Sequence, residues 1–239
     1  METLADGSTI GPYPFRIERR LGSKRGNMAA VYLASAHGPS APSDYVAIKI
    51  AKVATQHGAF NETGLRNESD ILSQLTHPSI VRIYPVSPPG ASPLRYRARA
   101  AIRDEPIFIV LEYLAGGTLQ ELVAQRPLEV SAKAALEITR QLAAALDYLH
   151  LKGFVHMDVK GDNIVFRQPW DRGRKAEPVL VDFGVARRNG EEPLGGAIPY
   201  MAPERISGAH SALPSMDIYA LGVVVYELLT SKVPFQADT

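Results

Sequence analysis

The 239-residue chain reads as an α+β protein in two lobes. Three observations predict this. Short strand patterns with a single helical stretch fill the region up to about residue 111. A short connector follows at 112–117, and from about residue 118 the apolar spacing turns helical. The first lobe therefore spans about 12–111 and the second about 118–239.

Each element has a local reason. FRIERRL (15–21) alternates apolar and polar residues, AAVYLASA (29–36) is small and β-rich, and YVAIKI (45–50) is an apolar run around one lysine, Lys49. HGPSAPS (37–43) is a loop by composition. In FNETGLRNESDILSQLT (60–76), Leu65, Ile71, Leu72 and Leu75 fall near helical spacing, and His77-Pro78 stops the helix. SIVRIYPV (79–86) and IFIVLEYL (107–114) read as strands. The Pro-rich and then Arg-rich segment between them, 87–106, is long for a loop inside a compact domain. It reads either as a solvated insertion or as a docking surface for an acidic regulatory partner. Arg95, Arg97 and Arg99 alternate, so an extended backbone puts all three on one face. SAKAALEITRQLAAALDYLHLKG (131–153) has an N-cap serine, a long apolar stripe and a terminal glycine, and SMDIYALGVVVYELLT (215–230) is apolar enough for a buried helix.

Composition narrows the function classes. Hydrophobic residues at 46% and charged residues at 21% mark a folded rather than a disordered chain. A formal net charge of +1 gives no bulk attraction for nucleic acid or an acidic membrane. The absence of cysteine excludes disulfides, thiolate nucleophiles and Cys-ligated metals. The first fifteen residues lack the basic start and apolar core of a signal peptide, and the longest apolar runs are too short to span a bilayer. A cytoplasmic location is expected, either alone or as the cytoplasmic portion of a longer membrane-attached protein.

Four stretches carry chemistry. LGSKRGNMAAVY (21–32) lies between two strand patterns, and its Gly22 and Gly26 let backbone N–H groups approach phosphate oxygens; an ordinary hairpin is the alternative. Lys49 sits within an apolar strand, where an ammonium needs a partner, and Glu68 on the following helix supplies one. FVHMDVKGDNIVF (154–166) gathers Asp158, able to accept a hydroxyl proton, Lys160, able to neutralise phosphate, and Asn163, able to bind a divalent ion through its amide oxygen; solvated loop charges are the alternative. In VLVDFG (179–184), Asp182 follows an apolar strand and offers a hard carboxylate suited to Mg²⁺.

Taken jointly, in this order and at these spacings, the four stretches resemble the eukaryotic-type (Hanks-type) Ser/Thr protein kinase family. MAPE (201–204) and DIYALGVVVYELLT (217–230) extend the match, which runs from about Phe15 to Phe235. GNMAAVYLA (26–34) and HPSIV (77–81) are similar to the bacterial members. The resemblance implies a small antiparallel N-lobe sheet with one helix, a hinge at 112–117, and a larger helical C-lobe that reads as C-terminally truncated.

It also implies roles. Lys49 would hold the α- and β-phosphates of ATP, oriented by Glu68. Asp158 would be the catalytic base, Lys160 would contact the γ-phosphate, and Asn163 and Asp182 would bind Mg²⁺, with Mn²⁺ as an alternative ion. Gly22 and Gly26 would cover the phosphates. Leu111 would be the gatekeeper, with Glu112 to Leu114 forming the adenine hinge, Val31 and Ala47 above the adenine and Val165 below it. Leu72, Ile83, His156 and Phe183 would form a spine anchored by Asp217. The implied activity is ATP-dependent phosphorylation of Ser/Thr hydroxyls on protein substrates. The alternative is a pseudokinase acting as a nucleotide-binding or scaffolding module.

The chain departs from the family pattern in six respects. Ser23, Lys24 and Arg25 separate Gly22 from Gly26 where the family has one residue. Ala29 stands at the third glycine, and Ala197 stands where a threonine hydroxyl usually supports the catalytic Asp and Lys. Glu204 lacks the C-terminal arginine that pairs with it in relatives, so it needs another cation if buried. Met157 replaces the arginine that usually receives a phosphorylated residue, and 185–199 (VARRNGEEPLGGAIP) has no Ser, Thr or Tyr to phosphorylate. No phosphorylation switch is therefore expected in that segment.

Overall fold

Cross-strand pairing of short alternating segments builds the first part of the chain. The computed structural model describes residues 4–10, 15–22, 29–36, 43–53, 58–88, 90–125, 130–170 and 175–235. These divide into two units, Met1–Gln74 with Arg82–Tyr113 and Leu75–Val81 with Leu114–Thr239.

The first unit contains β1 (Phe15–Leu21), β2 (Ala29–Ala36), β3 (Tyr45–Ala51), α1 (Gly58–Leu72), β4 (Ile83–Tyr84), β5 (Arg97–Arg99) and β6 (Ile107–Glu112). The sheet is antiparallel, ordered β1-β2-β3-β6-β4, with β5 also paired to β6. Residues directly opposite one another share a face. Tyr32, Ile48 and Val110 are in register and join Ile17, Ile50 and Phe108 in one buried cluster. Burying each large apolar side chain contributes roughly 1.5–3 kcal/mol. The opposite face carries Val31, Lys49 and Ile109 in one row and Leu33, Ala47 and Leu111 in the next. Helix α1 packs on β3 and β6.

Two expectations are corrected here. Helix α1 ends at Leu72 rather than reaching residue 76; Gln74 tightens the turn by donating its N–H to the Ile71 carbonyl. The strand expected over 79–86 shrinks to Ile83–Tyr84, because the residues before it take other partners. The Leu180 N–H donates to Ser79 O and the Val81 N–H donates to Leu180 O, so residues 75–81 belong to the second unit.

The 87–106 segment is largely solvent-exposed, as expected of an insertion, but part of it is built into the fold. Its strand β5 extends the sheet, and its arginines are engaged. Arg97 Nη1 donates to Ser69 Oγ at 2.8 Å and pairs with Asp70, while Arg99 Nη1 lies 3.3 Å from Glu62 Oε1. Two of the three arginines expected to await an acidic partner already have acidic neighbours on α1.

The second unit contains α2 (Leu119–Gln125), α3 (Ala132–Leu151), β7 (Phe154–Val155), β8 (Ile164–Phe166), β9 (Pro178–Leu180), β10 (Arg187–Arg188), α4 (Pro203–Ile206) and α5 (Pro214–Thr230). Ser131 caps α3 by accepting the Ala134 N–H. Ala135, Ile138, Leu142, Ala145, Leu146 and Leu149 form its buried stripe, and α3 packs on α5, β7 and β9. Pro214 opens α5 at a position where no N–H is needed. β8 and β9 form a hairpin, and β7 pairs with β10. Among the described residues, no helix is long and apolar enough to cross a membrane.

Gly116 fixes the entry into this unit. Its N–H donates to Phe166 O, and a Cβ at this position would stand 2.3 Å from the Gln168 carbonyl oxygen. Gly116→Ala should therefore lower unfolding free energy by about 1–3 kcal/mol in denaturant titration. Gly222→Ala, on an exposed helical position with open space for a methyl, should raise it by about 0.5–1 kcal/mol. Equal effects from the two substitutions would refute the close-packing account.

Candidate functional site

Lys49 is the charged residue on the α1-facing side of β3, and its ammonium lies 2.6 Å from Glu68 Oε2. The glutamate side chain is 1% exposed and the lysine 11%. A buried ion pair of this kind holds both side chains in one geometry, since separating them leaves a charge without water. Ala47, Leu111 and Val31 share that face of the sheet, Ala47 and Leu111 buried and Val31 half-buried. Ile109, in register with Lys49, lies there too and escaped the sequence reading. Glu112 is tied to Arg82 twice, its N–H donating to the Arg82 carbonyl and its carboxylate accepting the Arg82 N–H. Gly22 follows β1 with φ +71°, a left-handed conformation that favours glycine. Gly26 and the irregular Ser23–Arg25 spacing lie outside the described residues.

In the second unit, the loop after β7 is organised by Asp217, in the first turn of α5. Asp217 is 1% exposed and accepts three hydrogen bonds. They come from the His156 N–H (2.8 Å), the Met157 N–H (2.9 Å) and His150 Nε2 (2.8 Å). Met157 is thereby held at φ +69°, a conformation costly for a side chain that carries a Cβ. Its side chain is buried, so methionine fills core space where a charged residue was expected from the family pattern.

Asp158 follows directly. Its Oδ2 accepts from Lys160 Nζ at 2.7 Å and Asn163 Nδ2 at 2.8 Å, and its Oδ1 accepts from the Ala197 N–H at 3.1 Å. The support that a threonine hydroxyl at position 197 would give is thus partly supplied by the Ala197 peptide itself. A carboxylate has about four acceptor positions, so these three bonds leave one, on Oδ1.

Asn163 and Asp182 stand at the two sides of the β8–β9 hairpin, and the Val181 N–H donates to the Asn163 carbonyl at 2.9 Å. With Nδ2 of Asn163 donating to Asp158, the amide oxygen is the atom left to meet a cation. Asp182 occupies a left-handed turn at φ +64°. Among the described residues, no group of three His, Asp or Glu is gathered for a metal. One carboxylate and one amide oxygen fit Mg²⁺, which takes few protein ligands and completes its shell with water and substrate phosphates. Val165 lies half-buried on β8, and Leu114, also half-buried, opens the second unit.

Glu204 is exposed, so the cation it would need in a buried setting is not required. Tyr200, by contrast, donates to buried Glu227 at 2.8 Å; burial, with that bond second, pushes its pKa up. Arg205, in α4, was not singled out from sequence. It donates to the carbonyls of Met157, Leu194 and Gly195, partners that leave no trace in side-chain patterns.

His156 is completely buried and packs edge-on against Phe183, with ring centroids 4.6 Å apart. Its Nδ1 accepts the Asp158 N–H and its Nε2 donates to Val181 O, the pattern of a neutral imidazole. Burial holds its pKa below the usual 6.5, against the pull of Asp217 and Asp158. Burial also lowers that of His77. Near pH 6.5 the unfolded chain takes up protons that the folded chain refuses. Stability is then full above this pH and is lost as pH falls below it, by up to about 1.4 kcal/mol per pH unit for His156, with a smaller, solvent-screened share from His77. Denaturant unfolding between pH 7.5 and 5.5 should show the decline, and His156→Gln should flatten it. An unchanged slope in the variant would refute the assignment.

The family model described as "Protein kinase domain" matches residues 15–239. The serine/threonine-protein kinase PrkC of Bacillus subtilis is 32% identical over 232 residues, covering 94% of this chain and 32% of its own. The serine/threonine-protein kinase PknD of Mycobacterium tuberculosis is 32% identical over 239 residues, covering 98% and 32%. The Aurora/IPL1-related protein kinase 2 of Caenorhabditis elegans is 31% identical over 229 residues, covering 94% and 66%. The chain spans about a third of the length of the two bacterial relatives. With a match over nearly its whole length, the chain belongs to the protein kinase domain family, and bacterial Ser/Thr kinases are among its relatives.

Proposed function

We propose that the chain transfers the γ-phosphoryl group of ATP to Ser/Thr hydroxyls of protein substrates. The observation that carries this is the Asp158 carboxylate, fixed by three donors with one acceptor position remaining. The substrate hydroxyl donates to that position on Oδ1. Its oxygen attacks the γ-phosphorus, the bond to the β,γ-bridging oxygen breaks, and the proton passes to Asp158. Lys160 offsets charge on the transferred group, and Lys49, oriented by Glu68, serves the α- and β-phosphates. Phosphoryl transfer asks mainly for positioning and charge neutralisation, which these residues offer. Asn163 and Asp182 would hold Mg²⁺, with Mn²⁺ sharing the same preference for oxygen donors; the ion supplies further neutralisation of the phosphates.

The location that suits this chemistry is the cytoplasm. A pseudokinase would need none of these charged residues held in place, and the relatives are named as protein kinases. Since 185–199 offers no acceptor hydroxyl and Met157 no charge, the reading includes no phosphorylation switch in that segment.

Saturating ATP should raise the melting temperature with Mg²⁺ and much less without it; no shift with Mg-ATP would remove the nucleotide site. Asp158→Asn should lower kcat by about 10²–10⁴-fold on a generic substrate such as casein. Lys49→Met should abolish transfer while the far-UV circular dichroism stays that of wild type. Retained activity in both variants would overturn the proposal.

A further inference from the structure

The phosphotransfer reading leaves open what orders the segment that supplies Asp158 with its Oδ1 donor. Met157 stands where the receiving arginine was expected, and residues 185–199 carry no modifiable hydroxyl. Arg205 occupies the gap from the other side. Its Nη1 donates to Met157 O at 2.8 Å, and its Nη2 donates to Leu194 O at 2.9 Å and to Gly195 O. One planar cation thus ties the peptide preceding Asp158 to the segment that ends in the Ala197 N–H. A guanidinium suits this task because its donors are fixed in a fork.

The glycines beside it fit the same purpose. Gly195 and Gly196 have φ of +58° and +102°. A Cβ on Gly196 would stand 2.8 Å from Nη1, 3.1 Å from Nη2 and 3.1 Å from Met157 O. The backbone therefore approaches the guanidinium as closely as only glycine permits. Met157 is fixed in turn by Asp217, so Arg205 ties the segment to a buried anchor.

We propose that Arg205 is a positioning residue, clamping residues 194–197 to the Met157–Asp158 peptide so that Asp158 receives the Ala197 amide with no phosphate in the segment. The clamp needs a cation at 205 and glycine at 196, and it makes the segment's order independent of modification. This rests on the phosphotransfer reading, and the test separates the two.

The full chain is treated with phosphatase, and initial rates on casein are measured with hydrogen exchange at residues 194–198. Wild type should keep its rate. Arg205→Gln should lower kcat on the order of 10–100-fold, the scale of a slightly misplaced catalytic group. Its KM for ATP should stay within about twofold, and Ala197 should exchange faster. Arg205→Lys, which keeps the charge but not the fork, should fall between the two and decides the matter if Arg205→Gln does not fold. Wild-type kinetics in the variants, slowed kinetics with unchanged exchange at Ala197, or loss of wild-type rate on dephosphorylation would each overturn the proposal. A wild type inactive under every condition would instead sink the phosphotransfer reading, leaving exchange at Ala197 to judge the clamp.

Discussion

Asp217 is the constraint from which the second unit's candidate site is built. A carboxylate removed from water needs donors, and here two are consecutive backbone amides, those of His156 and Met157. Accepting both bends the backbone into a conformation that methionine would not choose. That bend sets the direction in which the chain leaves towards Asp158. His150 contributes the third donor from the last turn of α3, so two long helices fix the turn between them. The stiffness of the site thus comes from a buried residue that never has to meet substrate.

Around this anchor the polar groups divide into kinds. Side chains, one cationic and one a neutral amide, bond one oxygen of Asp158 where reactivity is at stake, those of Lys160 and Asn163. Backbone groups do the holding elsewhere: Val181 to Asn163, Ala197 to Asp158, and three carbonyls to Arg205. Backbone bonds tolerate side-chain replacement. A chain lacking a hydroxyl at 197 and a cation at 157 therefore still forms a bonded loop.

That division also explains what could be read in the sequence. Lys49 and Glu68 were legible because an ammonium in an apolar run demands a partner and the next helix offers one. The helix over 132–151 was legible from a cap and an unbroken stripe. The short β4 was not, because Leu180, a hundred residues downstream, claims the backbone of Ser79 and Val81, and the end of α1 was not, because it is set by a backbone turn between Gln74 and Ile71. Arg97 and Arg99 looked like free charges because Asp70 and Glu62 lie on a distant stretch of sequence. Arg205 was invisible for a further reason: its partners are carbonyls, which every residue carries. The amide of Ala197 was missed likewise, since attention fell on the hydroxyl it lacks.

The alternation along β3 has a consequence for folding fidelity. Ile48 and Ile50 point into the apolar cluster, while Lys49 between them points to Glu68. A one-residue slip of this strand against β2 or β6 would turn every side chain over. The ammonium would then enter the apolar layer, and two isoleucines would face a carboxylate. Either error is costly, so the lysine between two isoleucines acts as a proofreading mark that lets the sheet close in one register.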